Sequence, residues 1–197
     1  MTAGAVNAAA IVGTNIGGWM VLEPWISPSL FYQFLNNHKE DGVAMDSWTF
    51  CEALGPDAGN QAMRAHWENF YTDDDIKGLA DRGVKMVRLP VGDWTLKPYG
   101  PYVGCMDGAE DWIQWMFDTC AKYNIEVLLD VHAMKDSQNG FDNSGKTTSL
   151  IWDDGGYNFT HWPDNHAEWM GPWVDGKMEH VNYSNLQWAL DVAEGLL

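Results

Sequence analysis

Basic residues are scarce in this chain: 11 lysines and arginines stand against 28 acids, a formal charge of −17 at pH 7. Such a field repels phosphate backbones and anionic membrane surfaces, which weighs against nucleic acid as a partner. No run of eighteen apolar residues occurs, so the sequence offers no helical membrane span. Cysteine is nearly as scarce. Cys51, Cys105 and Cys120 are too few for a disulfide scaffold, and their odd number leaves at least one unpaired within the chain. The opening stretch MTAGAVNAAAIVGTN carries no early positive charge and too short an apolar run to read as a secretory leader. Gly-rich phosphate loops, a G-x-S-x-G elbow and the C-x-x-C and H-E-x-x-H metal patterns are all missing. Residues 136–140 fail as a calcium loop, because the glycine falls one position early. His161 and His166 lie five apart in a stretch with proline and share no helix face, so neither a metal nor any cofactor is expected.

What the chain does have is apolar mass and indole. At 197 residues and 46% hydrophobic composition it can bury a real core, although it falls short of the roughly 250 residues of a complete eight-fold α/β barrel. Twelve tryptophans exceed what such a core needs. About two thirds of them are expected inside, and the rest can offer flat faces to a ligand such as a sugar ring. Asn158-Phe-Thr160 and Asn182-Tyr-Ser184 fit the N-glycosylation pattern and suit a secreted protein.

Hydrophobic periodicity gives an alternating α/β order. Residues 8–12 read as a first strand ending at Gly13-Thr-Asn15, the Gly17-Gly18 pair as a turn, and 19–22 as renewed extended structure before Glu23. Residues 26–55 read as loops with short helical pieces and 57–71 as a helix. Thr72 followed by three aspartates is an N-cap for a helix to Arg82, with Gly83 as its stop. Residues 84–91 form a strand, 109–123 an amphipathic helix, 125–131 a strand, and 185–197 a helix whose inward side would carry Leu186, Leu190, Ala193 and Leu197. Between the last two lies an irregular Trp-rich stretch, 147–183, longer than a usual connection. Right-handed crossovers would set the strands at 84–91 and 125–131 side by side, with Arg88 and His132 near one rim.

Three places in this scheme attract attention. The apolar run before His132 ends in a polar loop through Gly145 holding Gln138, Asn139, Asp142 and Asn143, with Phe141 the one apolar residue between Ser137 and Gly145. Ligands in parallel α/β proteins bind beyond the carboxyl ends of strands, so this loop is a candidate polyol surface; the same residue types also build ordinary turns. Arg88 sits in an apolar strand and must be paired, either with a structural carboxylate or with one at a site. Glu23 is a carboxylate at a strand end, flanked by Trp19 and Trp25.

Four blocks in register over about residues 11–145 carry a family resemblance: NIGGWMVLEPW from Asn15 to Trp25, the run from His66 and Trp67 to Thr72 with Asp75, VRLPVG from Val87 to Gly92, and SQNGFDNSG from Ser137 to Gly145. Together they resemble the exo-β-1,3-glucanases of glycoside hydrolase family 5. The resemblance implies a (β/α)8 TIM barrel acting on β-glucan, extracellular or associated with the cell wall, and a monomer when complete. Position by position, Glu23 is similar to the acid that binds hydroxyls of the terminal glucose. Arg88 resembles the arginine that supports the nucleophile, and His132 the histidine lining the same subsite. Asn139, Phe141 and Asp142 fall on the loop that clasps the sugar. Two departures accompany this. The chain has Ala133-Met-Lys-Asp136 where the family has Ala-Pro-Gly, and 147–183 is longer than in many relatives. The family's catalytic pair is two glutamates on later strands, the first in an Asn-Glu-Pro motif, and no Asn-Glu-Pro occurs here. Residues 1–197 are therefore expected to be the N-terminal portion of one catalytic domain, about the first three βα units, hydrolysing nothing alone. The alternative, from a different class, is a non-catalytic β-glucan-binding protein of the same fold, and a third is a fragment without independent biology.

Overall fold

The computed structural model describes residues 11–34, 44–147, 150–153, 158–161, 169 and 173–196. In chain order these give β1 (Gly13–Asn15), α1 (Pro28–Phe31), α2 (Ser47–Phe70), α3 (Asp73–Asp81), β2 (Met86–Gly92), α4 (Tyr102–Cys105), α5 (Ala109–Lys122) and β3 (Glu126–Ala133). Two short hairpins follow, β4 (Leu150–Asp153) with β5 (Asn158–His161) and β6 (Trp173–Val174) with β7 (Lys177–Met178), and then α6 (Tyr183–Glu194). The hairpins occupy parts of the Trp-rich stretch, and Thr147, Trp169 and residues 175–176 and 179–183 are also described; the rest of it, His166 included, lies outside the described residues.

β1, β2 and β3 form one parallel sheet in that order, with Asn15 level with Arg88 and Arg88 level with Leu128. Period-two alternation divides the sheet. Val87, Leu89 and Val91 are buried in a core shared with Met63, Trp67, Ile76, Met116 and Cys120 from the helices. The other face carries Arg88, Leu128, Asp130 and His132, and it is open: Leu128 is 51% exposed. Among the described residues, helices thus back one face only.

Caps and turns explain most boundaries. Thr72 accepts from the Asp75 N–H while the Asp75 carboxylate accepts from the Thr72 N–H, so both donors at the start of α3 are satisfied. Asp46 and Thr49 do the same for α2. That helix begins far earlier than the sequence suggests, because Gly55 (φ +72°) and Pro56 kink it instead of ending it. Its first segment is tied to α4 by a Cys51–Cys105 disulfide, leaving Cys120 free and buried.

Other expectations shift. The first strand is Gly13–Asn15; Ile11 and Val12 precede it and are exposed, and residues 8–10 lie outside the described set. Trp19, Met20 and Val21 form a bend and Leu22 is irregular, so none of the four is in a strand. All four are nearly inaccessible, and a half-buried strand would have exposed every second one. The last helix forms, but Leu190 and Ala193 are exposed on it while Asn185 and Val192 point inward. Trp188 fixes that rotation by donating from Nε1 to Asp93 at 2.7 Å. Of the tryptophans, Trp19, Trp67, Trp94 and Trp169 are buried, Trp48, Trp112, Trp115 and Trp188 half-buried, and Trp25 is 56% exposed.

Candidate functional site

Arg88 organises the open face at the carboxyl ends of the strands. Its Nη1 donates to Asn15 Oδ1 at 2.8 Å, and its Nη2 lies 2.8 Å from His132 Nδ1 and 2.6 Å from Asp130 Oδ2. A guanidinium only donates, so its bond to Nδ1 places the neutral imidazole's proton on Nε2. Asp130 Oδ2 also lies 3.0 Å from His132 Nδ1. It is buried, and its contacts are ion-pair contacts without the alignment of hydrogen bonds. Both possibilities open for Arg88 are realised together: it is paired with a carboxylate, and that pair stands at a strand-end rim.

Glu23 joins this cluster from the segment after β1. Burial pushes its carboxyl above the usual range, opposed by the Gly18 backbone bond and by the charge of Arg88, while Asp142 raises it further. A Cβ on Gly17 would stand 2.9 Å from the Asn15 amide nitrogen and 3.6 Å from Glu23 Oε1, so glycine lets amide and carboxylate close over the turn. His66 braces that turn from behind. Its buried ring bonds the Gly18 carbonyl at 2.9 Å, and burial lowers its pKa to about 4. Of the two flanking indoles, Trp19 belongs to the core and Trp25 to the surface.

The loop after β3 combines turn chemistry with placement. The Asn139 carboxamide works inside the loop, accepting from the Phe141 N–H (2.9 Å) and the Ser144 hydroxyl (2.6 Å) and donating to Asn143 (3.2 Å). Gln138 clips loop to strand, donating to the His132 carbonyl at 2.7 Å and accepting from the Met134 N–H at 3.1 Å. The far end is anchored where Tyr102 Oη–H and the Trp48 N–H both meet the Gly145 carbonyl at 2.9 Å. Asp142 is buried between these anchors and Phe141 is half-buried. Glu23, Arg88, His132 and Asp142 therefore share one neighbourhood, while Asn139 is exposed and builds the loop.

Neither Asn15 nor Asp130 stands out in the sequence as a partner of Arg88. The signal was present: Asp130 stands two residues before His132, and period two puts both on the face of Arg88. Asp93 carries no such signal. Among the described residues no three of His, Cys, Asp and Glu are grouped to hold a metal ion, and no helix is long and apolar enough to cross a membrane.

A parallel, helix-backed sheet with a polar cluster at its strand ends has the architecture of a ligand-binding α/β domain. No protein-family model matches the sequence. The chain is 42% identical over 142 residues to glucan 1,3-beta-glucosidase 1 of Schizosaccharomyces pombe, covering 71% of this chain and 33% of that protein. It is 41% identical over 153 residues to the sporulation-specific glucan 1,3-beta-glucosidase of Saccharomyces cerevisiae, covering 72% and 33%. It is thus a homologue of the glucan 1,3-beta-glucosidases, and it spans about a third of the length of the curated relatives it matches. Among solved structures, AoRut superposes with a TM-score of 0.68 at 20% identity, covering 94% of this chain and 42% of that one. The rutinosidase from Aspergillus niger does so with 0.60 at 19% identity and the same coverage. Both share its fold.

Proposed function

We propose that this chain is the N-terminal portion, about three βα units, of a family 5 (β/α)8 barrel that hydrolyses β-1,3-glucan from its chain end with retention. The observation that carries the reading is the Asn15–Arg88–Asp130–His132 lattice with Glu23 and Asp142 beside it, in a homologue of proteins named glucan 1,3-beta-glucosidase. Neutral hydroxyls exchange hydrogen bonds with carboxylates and imidazole, and an aromatic edge covers the apolar face of the ring. Glu23, Arg88, His132, Asn139, Phe141 and Asp142 form the subsite wall in this reading and position sugar without breaking bonds. Two carboxyl groups about 5–5.5 Å apart, one protonating the glycosidic oxygen and one attacking the anomeric carbon, supply the chemistry from outside these residues. The Cys51–Cys105 disulfide supports an oxidising, extracellular or cell-wall setting.

Glucose release from laminarin tests this, with the 197-residue chain run beside a longer chain that includes the Asn-Glu-Pro segment. The expected result is activity in the longer chain alone; release by the short chain would overturn the division of labour. A second reading, β-glucan binding without hydrolysis, is favoured by the lattice being assembled within these residues. Saturable binding of laminarin with no turnover by either chain would select it.

A further inference from the structure

The strand-end loop is held by a residue that neither motif nor spacing singles out. Asp93 lies in the 3-10 turn directly after β2 and is fully buried. Its Oδ2 accepts two hydrogen bonds of 2.7 Å, from the Lys135 backbone N–H and from Trp188 Nε1 on α6. The Lys135 carbonyl accepts in turn from Trp169 Nε1 at 2.6 Å. Both backbone groups of one loop residue are thus taken by side chains from distant segments, and the Lys135 ammonium covers the Trp188 ring at 4.7 Å. The two residues that follow, Asp136 (φ +59°) and Ser137 (φ +63°), are non-glycines in the left-handed region. Such backbone persists only where its surroundings hold it. The same arc departs from the Ala-Pro-Gly pattern. A backbone N–H withdrawn from water needs an acceptor, and at Lys135 Asp93 supplies it.

We propose that Asp93 is the positioning residue of the sugar-clasping loop: by fixing the Lys135 backbone against α6 it sets the arc 134–145 that presents Phe141 and Asp142 to the ligand. The part of this that concerns sugar rests on the function proposed above; the clamp itself does not. Asp93 touches no sugar. Its buried carboxyl oxygen accepts two short bonds, and removing it leaves two partly buried donors unsatisfied.

Hydrogen exchange followed by mass spectrometry on the 197-residue chain tests the clamp, with Asp93→Ala and Asp93→Asn beside the parent. The Asn amide oxygen can still accept both N–H groups. Alanine should speed exchange of the 134–145 peptide by about tenfold or more while peptides from α2 and α5 keep their rates, and asparagine should restore protection. Unchanged exchange in the arc, or a rise shared equally by α2 and α5, would overturn the proposal. Affinity for laminaripentaose is measured on the same three proteins and should fall about tenfold in the alanine variant and recover in the asparagine variant. An arc that loosens without loss of affinity would overturn the positioning role. An arc that loosens in a protein whose parent binds no laminaripentaose would uphold the clamp and refute the β-glucan reading.

Discussion

At the scale of single residues, one guanidinium holds the open face together. Arg88 is level with Asn15 and faces Asp130 and His132, so one side chain bridges all three strands. Arg88→Ala should lower unfolding free energy by about 1–2 kcal/mol, read from urea midpoints, because it strips the cation from a partly buried carboxylate whose exposure moderates the loss. Arg88→Lys should not restore glucan affinity, since a point charge cannot replace the planar fork. Two buried groups give a pH signature of opposite sign. Burial raises Asp93 to about 6 from an ordinary 3.8, so its contribution is full below about pH 4 and is lost as pH rises through 6. His66, lowered to about 4 from 6.5, contributes above its ordinary value and loses that contribution as pH falls through 4. Each shift is worth at most about 3–3.5 kcal/mol, and between pH 4 and 6 the two slopes oppose each other. Asp93→Asn should therefore expose the His66 slope, with stability falling as the solution is acidified over that window and rising relative to the parent above pH 7. Urea midpoints at several pH values check this, and a profile parallel to the parent's would refute it.

Among the elements, α3, β2, α5 and β3 were legible because each carries a complete local signal: a capping box, an apolar strand, an amphipathic stripe and an apolar run ending in polar residues. The beginning of α2 was not, because Gly55-Pro56 reads as a stop and only tertiary packing shows it to be a kink. Nor was the course of 19–22, where local pattern cannot distinguish a strand from a bend threaded through the core. The rotation of α6 depends on long-range bonds, Trp188 to Asp93 and Asp191 to Lys97, which no periodicity encodes. Of the site, Glu23, Arg88, His132 and Asp142 could be found as strand-end polar residues, whereas the partner roles of Asn15 and Asp130 needed the register. The disulfide joins elements 54 residues apart, and replacing Cys51 and Cys105 with serine should cost about 4 kcal/mol by loop-closure entropy. An unchanged urea midpoint would show that α2 and α4 need no tie.

On the scale of the molecule, a sheet with helices on one face and a net charge of −17 sets two tendencies against each other. The open face, with Leu128 exposed on the edge strand β3, favours association, and like charge resists it. Sedimentation velocity should find larger species as salt rises from about 0.05 M to about 1 M, where the Debye length shrinks to about 3 Å. Leu128→Asn should reduce that association, and equal association in the variant would place the contact elsewhere. The central claim is that this chain already contains the wall of a glucan subsite. Isothermal titration of the 197-residue chain with laminaripentaose tests it most directly, beside Arg88→Ala as the control. The account predicts saturable binding by the parent that the variant loses; no heat from the parent, or binding undiminished in the variant, would contradict it.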